Sequence, residues 1–283
     1  MKASSAVERR SAAATAARYV ALVACAVVFL GPLAWLLSMS LRTAAAALGR
    51  QWIPNPVRWA NYAVVFSFQP FANQLLNSAY IMALVCLGTL VVSSLAGFAL
   101  ARINFPGRGA ILILVLSSLF IPAETTIIPL YRDVIALHWT DTHIPLILFP
   151  ICGTVGVVGT FVMRQAFLTL PQEVIEAARV DGASWPRILI RIALPMVRPS
   201  LAAVVVLTAL SSWNQYLQPL VFLRSRQHFT VPLGLSQYSD QYTGPMYNIQ
   251  AAATTLSILP VIAIFLLAQR QFIAGLTEGS VKA

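Results

Sequence analysis

Apolar positions in this chain form long unbroken runs, without the alternation that marks a half-buried strand or helix. Uncharged intervals extend over 19–41, 59–101, 142–163, 199–223 and 241–269, and a shorter one over 109–123 stops at Glu124. A helix that crosses the hydrocarbon of a bilayer needs about 20 mostly apolar residues. The runs therefore predict six spanning helices, at about 19–38, 75–101, 109–130, 144–165, 199–222 and 248–269. Helix is the expected form because it satisfies its own backbone hydrogen bonds in lipid, and no ten-residue alternation points to a closed barrel. Residues 59–74 are uncharged but punctuated by Asn, Gln and Pro, which predicts an interfacial segment leading into the second span. The first run exceeds the roughly 7–15 residues of a signal-peptide core, and comparable runs follow it, so Tyr19–Ser38 is expected to be a retained span.

Composition carries the same message. Apolar residues make up 58% and charged residues 10% of the 283, and the mean hydropathy is +0.77. No soluble core explains so many such runs, and the expected class is an all-α polytopic membrane protein. Of the 19 Lys and Arg, 13 lie on the side that holds both termini and the 166–198 loop, and 6 lie on the other. The positive-inside rule then puts residues 1–18, the 166–198 loop and residues 271–283 in the cytoplasm. The net charge of +10 is accounted for by these clusters beside spans, with no nucleic-acid partner needed. Loops 39–74 and 224–247 on the opposite side hold Trp52, Trp59, Tyr62, Tyr238, Tyr242 and Tyr247. Two readings stand for these rings, an interfacial aromatic belt and a docking face for an external partner. Cys25, Cys86 and Cys152 sit in apolar runs without a CxxC, and are expected as buried small hydrophobes.

The candidate chemistry is sparse. The only lysines are Lys2 and Lys282, so a P-loop of the form GxxxxGK[ST] is impossible. His138, His143 and His228 form no HExxH, and no Ser/His/Asp set is spaced for catalysis, so the chain is expected not to be an enzyme. Energy for any transport must come from a separate ATPase or from an ion gradient, and the latter usually leaves acids inside spans. Glu124 is the one acid near a span; it reads either as a snorkelling or loop-capping carboxylate or as a path-lining residue. In the fifth run, Ser212, Trp213, Asn214, Gln215, Tyr216 and Gln218 interrupt an apolar sequence. Amides there offer donors and acceptors, and Trp213 or Tyr216 a stacking face, which suits a polyol path. Hydrogen bonding between helices is the equally weighted alternative. Asn73, Gln74 and Asn77, at the head of the second span, are further path candidates.

One segment breaks the apolar pattern. In "EVIEAARVDGASWPRILIRIALP" (173–195), Glu173, Glu176 and Asp181 alternate with Arg179, Arg187 and Arg191, although the whole chain has only 9 acids. Thr169 with Pro171 predicts a helix start and Asp181-Gly182 its end; Ser184-Trp185-Pro186 opens a second helix that Leu194-Pro195 should close. Ala177 and Ala178 are expected to give a flat outward face, with Glu176 and Arg179 paired at i, i+3. Such a surface fits a groove in another protein better than a lipid surface, because it lacks Trp and Phe and carries acids.

Glu176-Ala177-Ala178, Gly182 after three residues, and Ile192-x-Leu194-Pro195 after nine more resemble the EAA loop of ABC-importer permeases. The longer text "EAARVDGASWPRILIRIALPMVRPSLA" is similar to the carbohydrate-uptake, maltose-type second permeases. "SSWNQYLQPLVFL" resembles that family's fifth-span segment, with Gln215 where an acid is frequent and Gln218 where Trp is frequent; "QRQFIAGLTEGSVKA" resembles its tail. The resemblance covers nearly the whole chain and implies a type I ABC importer fold in a bacterial cytoplasmic membrane. It implies that Glu176, Ala177, Ala178, Arg179, Asp181 and Gly182 seat in an ATPase subunit, and that Gly275, Leu276, Thr277, Gly279 and Lys282 reach the interface of the ATPase dimer. The implied partners are a second permease subunit, that ATPase dimer, an extracellular substrate-binding protein and membrane lipid. ATP and Mg would sit on the ATPase, and this chain would bind no cofactor. A sugar or oligosaccharide is the expected cargo; glycerol phosphate, an amino sugar and an ion-coupled secondary transporter are the alternatives.

Overall fold

The computed structural model describes the backbone of residues 2–240 and 244–280, and the side chains of 15, 17–122, 124–239 and 244–266. Helices account for nearly all of it: α1 (Lys2–Ser40), α2 (Ala60–Phe68), α3 (Phe71–Arg102), α4 (Arg108–Ser117), α5 (Ala123–Ala136), α6 (Ile144–Cys152) and α7 (Thr154–Leu168). They are followed by α8 (Gln172–Val180), α9 (Trp185–Met196), α10 (Arg198–Trp213), α11 (Leu217–Phe222), α12 (Val231–Leu235) and α13 (Tyr247–Ser280). Ser239–Asp240 and Gly244–Pro245 form a two-residue antiparallel ladder. Ala17–Ser40, Phe71–Arg102, Ile144–Leu168 and Tyr247–Leu266 are each long and apolar enough to cross a membrane. Two further bent pairs bring the total to six if each pair is one span.

One bent pair replaces the straight third span expected at 109–130. Arg108–Phe120 and Glu124–Ala136 meet at 101°. Pro122 lacks an N–H and holds Ile121 extended, so a helix cannot run through, whatever the hydropathy. The expected fifth span, 199–222, is likewise interrupted: α10 stops at Trp213 and α11 begins at Leu217.

The chain divides into two compact units. The first holds residues 1–68 and 238–256. Its loop after α1 is gathered around Arg42, which is 2% exposed. The guanidinium donates to the carbonyls of Ala47 (3.3 Å), Gly49 (2.6 Å) and Gln51 and to Ser38 Oγ (3.0 Å), and lies 4.3 Å over the Trp35 ring. A buried cation without such partners costs several kcal/mol, and carbonyl dipoles with a ring face stand in for its water. Asn61 Nδ2 donates to the carbonyls of Ser40 (2.7 Å) and Arg42 (2.8 Å), tying α2 to the same loop. Trp52 and Trp59 are exposed, but Tyr238 is buried with its hydroxyl on Val65 O at 3.1 Å, so it belongs neither to a belt nor to a docking face. Tyr242 lies outside the described residues.

The second unit holds residues 69–237 and 257–283. Its axis is the packing of α3 on α7, where small residues let the backbones approach. A Cβ on Gly97 would stand 2.9 Å from Arg164 N and from Met163 Cβ, and one on Gly159 would lie 3.1 Å from Thr89 Cγ2; at the turn between α6 and α7, one on Gly156 would lie 1.8 Å from Ile151 O. Two apolar clusters sit at opposite ends. One joins Phe98, Met163, Phe167 and Val204 to the 170–197 segment; the other joins Ile81, Val85, Leu146 and Phe222 to Phe229 and Leu233. Cys86 is half-buried, whereas Cys25 and Cys152 are exposed on helix faces, contrary to the expectation of burial. An apolar run destined for lipid has no reason to bury its thiols in protein.

Candidate functional site: the 170–197 segment and the polar break at 214–218

Two apolar side chains set the position of α8. Ile175 and Ala178, three residues apart and therefore on one face, are buried in the cluster around Phe98 and Phe167. Burying Ile175 stabilises the docked helix by about 2 kcal/mol. Glu173, Glu176, Ala177 and Val180 point the other way and are exposed. The expected flat pair is thus split, because neighbours on a helix cannot share a face: Ala177 faces out and Ala178 faces in. Val180, 88% exposed and one turn from Ala177, supplies the apolar part of the outward surface. Sequence reasoning passed over it; the available signal was a lone Val among charges.

The ends of α8 differ in how well they were foreseen. Pro171 occupies the N-cap without a side-chain cap, and Thr169 Oγ1 donates back to Ala166 O (2.8 Å) instead of capping. Having no N–H, Pro171 leaves one fewer donor to satisfy at that end. Glu173 stands in the first turn, at the positive end of the dipole. The C-terminal elbow forms as expected at Gly182, whose φ is +78°. Ala183 N donates to Ala178 O (2.9 Å) and Gly182 N to Arg179 O (3.0 Å), the paired bonds of a glycine-terminated helix. Glu176 and Arg179 do not pair. Gln172 Nε2 donates to Glu176 Oε1 at 2.6 Å, and the Arg179 guanidinium carbon sits 4.6 Å above the Trp185 ring.

The second helix stops at Met196, one residue past Pro195. Residues Leu189–Ala193 take a wider π turn, and the helix runs on to Met196 before bending by 84° into α10. A proline ring collides with the carbonyl four residues back, here Arg191, and the wider turn relieves that contact. Arg102, the last residue of α3, fastens that helix to the end of α7: Nε donates to Phe167 O (2.9 Å), and Nη2 to Phe167 O (2.6 Å), Leu168 O (3.5 Å) and Leu170 O. Arg164 Nε donates to Leu100 O at 3.3 Å.

The polar residues of the fifth run fall at the gap between α10 and α11. Trp213 is buried and offers no open ring face, contrary to the stacking role considered for it. Asn214 Nδ2 donates to Leu210 O (2.8 Å), closing the end of α10, and Gln215 Nε2 donates to Gln218 Oε1 (2.5 Å). Ser212 Oγ and Gln215 Oε1 are buried without a hydrogen-bond partner, and the Tyr216 ring is exposed. Asn77 is held elsewhere: its Nδ2 donates to Gln227 O (2.7 Å) and Phe229 O (3.1 Å), so it anchors a loop. Gln74 is fully buried against Gly234, and Asn73 is exposed. Glu124 is exposed in the first turn of α5.

A polar cluster at the far end was not foreseen as a unit. Asp141, with φ +57°, accepts from the amides of Arg224 and Ser225 (both 2.9 Å) and from Ser225 Oγ, and lies 3.2 Å from His228 Nδ1. Burial pushes its carboxyl up, but the hydroxyl and amide of Ser225, the Arg224 amide and His228 outweigh it and hold it well below the carboxylate range. His143, facing the His228 carbonyl at 2.6 Å, is lowered by burial. These residues lie 85 positions apart in sequence, and no local spacing joins them.

The tail differs from expectation. Gly275, Gly279 and Ser280 would suit an adaptable extended strand as the tail's means of reaching the ATPase interface, yet α13 continues through Gly275, Leu276, Thr277 and Gly279 to Ser280. Each Gly costs a helix only about 1 kcal/mol relative to Ala, and a long preceding helix has already met the cost of nucleation. Lys282 lies outside the described residues.

The arabinooligosaccharides transport system permease protein AraQ of Halalkalibacterium halodurans is 42% identical over 206 residues, 73% of this chain and 72% of that one. The AraQ of Bacillus subtilis is 38% identical over 234 residues (81% and 80%), and the sn-glycerol-3-phosphate permease UgpE of Yersinia enterocolitica 33% over 233 (80% and 82%). In fold, the chain is similar to a crystal structure of a bacterial ABC transporter that imports alginate, with a TM-score of 0.74 at 23% identity over 90% of this chain and 95% of that one. The inner-membrane components of binding-protein-dependent transport systems match residues 90–277, which include both the segment and the break, and the chain belongs to that family.

Proposed function

We propose that this chain is one permease half of an ATP-driven importer of a neutral sugar or oligosaccharide, with the Glu173–Gly182 knob seated in a separate ATPase subunit. The observation that carries the reading is the division of α8. Ile175 and Ala178 weld it to the span cluster, while Glu176, Ala177 and Val180 are presented outward. A force applied to the outward face therefore reaches Phe98 and Phe167, and through them α3 and α7, as a movement of packed helices. The ATPase dimer holds ATP and Mg; a second permease subunit completes the path, and an external binding protein delivers cargo. Both termini and the knob face the cytoplasm, as the 13 to 6 division of basic residues supports.

For the path, the gap between α10 and α11 supports a polyol. Non-helical backbone at membrane depth is tolerated where it lines a cavity, and Ser212 Oγ with Gln215 Oε1 stands unpaired beside the exposed Tyr216. Phosphate is disfavoured because Arg102 and Arg164, the cations at the span edges, are both engaged by backbone carbonyls. The test is uptake by the full complex of labelled arabinotriose and of sn-glycerol 3-phosphate, with ATP depletion and proton-gradient collapse as separate arms. ATP-dependent arabinotriose uptake is expected. Preferred uptake of the phosphate ester would overturn the cargo, and uptake by this chain alone on an ion gradient would overturn the coupling.

A further inference from the structure

We propose that Arg179 and Trp185 form a staple across the Gly182 elbow that converts the docked knob from a hinge into a rigid crank. This rests on the reading above that the outward face of α8 seats in an ATPase. The elbow needs such a part. Gly182 adopts φ +78° with nothing within 4 Å of where a Cβ would be, so the outer side of the turn is open. Ala183, Ile188 and Leu189 hold the inner side against the cluster around Phe98 and Phe167, and the backbone bonds from Gly182 N and Ala183 N close the end of α8, which leaves the outer side to a contact across the turn.

Arg179 on α8 and Trp185 on α9 lie on opposite sides of the turn, and the guanidinium carbon is 4.6 Å above the ring centroid. Arg179 has no acid partner among the described residues, and its i−3 neighbour Glu176 is occupied by Gln172. The far side of Trp185 is fixed as well. Its ring stands 6.0 Å from Phe98, edge to face, and Phe98 stands 5.3 Å from Phe167 in the same manner. A chain of contacts therefore runs from an exposed cation on the knob, across the elbow, to α3 and α7. A guanidinium suits this place because it lies flat on an indole while its edge stays hydrated. Arg179 and Trp185 are positioning residues in this account, acting through the angle between α8 and α9.

Hydrogen exchange of the intact complex in nanodiscs tests this without knowing the cargo. Elbow amides at 181–188 should exchange about three- to fivefold faster in Arg179→Ala, the range expected for one exposed cation–π contact, and faster still in Trp185→Ala, which also loses the Phe98 contact. Arg179→Lys should stay within about twofold of the unaltered chain, because an ammonium also binds the ring face. The double alanine variant should exchange no faster than Trp185→Ala alone, since Arg179→Ala removes only a contact that Trp185→Ala has already removed. The exchange change that ATP with vanadate induces at 198–213 should shrink in step, while co-purified ATPase stays at its normal amount. Unaltered elbow exchange in Arg179→Ala would overturn the staple, and so would additive effects in the double variant, which would make Arg179 a direct ATPase contact. Ala177→Arg, on the outward face, separates the two claims. It should lose the co-purified ATPase with elbow exchange unaltered, and retention of the ATPase would overturn the docking reading itself.

Discussion

Substitutions at Gly182 separate two physical reasons for a glycine at an elbow, and they predict opposite orders. The residue sits at φ +78°, where an L side chain costs roughly 1–2 kcal/mol, less for Asn and Asp because their short polar groups bond locally. An added Cβ meets nothing within 4 Å, so no clash inside the chain adds to this. If strain alone mattered, Gly182→Ala would be more harmful than Gly182→Asn. If the bare face of Gly182 presses against the ATPase, size decides, and Asn must displace the partner where Ala displaces little. The docked-knob account predicts the second order: uptake reduced by about thirtyfold or less in Gly182→Ala, as 1–2 kcal/mol allows, and abolished in Gly182→Asn and Gly182→Asp. Membrane insertion, followed by immunoblot of the washed membrane fraction, should be normal in all three, because the turn lies outside every span. Initial uptake rates normalised to membrane level give the order. Asn-variant transport at or above that of the Ala variant would refute contact with a partner and leave only backbone strain.

Four further outcomes follow. Gly156→Ala places a Cβ 1.8 Å from Ile151 O, a backbone atom that cannot swing aside, and should lower the thermal stability of the detergent-solubilised chain by at least about 1–3 kcal/mol. Asp141→Asn removes the charged acceptor shared by Arg224, Ser225 and His228, and exchange at 222–229 should rise, since bonds to a charged group are worth about 1.5–3 kcal/mol. The pH dependence of that loop follows from signs. Asp141 and His143 both bind protons less readily folded than unfolded, so each contribution is complete above its unfolded value and fades as pH falls through its folded value. The His143 contribution should therefore begin to fall below about pH 6.5, and that of Asp141 below about pH 4; loosening on raising pH from 7 to 9 would contradict both. Removing residues 276–283 should leave ATPase docking intact but weaken the coupling of ATP hydrolysis to uptake, measured as hydrolysis per arabinotriose transported.

How much the sequence disclosed depended on the range of the interaction. Four long apolar helices among the described residues and the Gly182 elbow were legible because hydropathy over 20 residues and a left-handed turn are local properties. The 101° break at Ile121–Pro122 was legible in principle, but the apolar count masked the one residue that cannot extend a helix. Burial of Ala178 and exposure of Val180 required knowing which face of α8 meets Phe98 and Phe167, and no spacing within α8 states that. The same holds for Trp213, buried although it lies among polar residues, and for Asn77, whose partners are 150 and 152 residues away. Glu176 with Arg179 fitted the i, i+3 rule, yet each found a better neighbour. An exposed pair of that kind is worth only about 0.2–0.5 kcal/mol, so a ring face or an amide displaces it easily.

The two apolar clusters and the breaks belong to one mechanical argument. The cluster around Phe98 and Phe167 is bound to the knob, and the cluster around Ile81 and Phe222 to the Asp141 loop. Between them, α3 runs through without a break. The other connections are interrupted: at Gly153 between α6 and α7, at Ile121–Pro122 before α5, and at 214–216 between α10 and α11. Packed cores do not deform continuously, so movement imposed on one cluster concentrates where helical hydrogen bonding is already interrupted. The 214–216 gap, with Ser212 Oγ and Gln215 Oε1 unpaired, is then a place where a small rotation of the knob-bound half redirects hydrogen-bonding groups. The proposed sugar path would account for the polar residues at this gap in an otherwise apolar span. Groups that hold a sugar hydroxyl in one state would have to release it in the next, and an amide on interrupted backbone turns away more readily than one fixed within a helix.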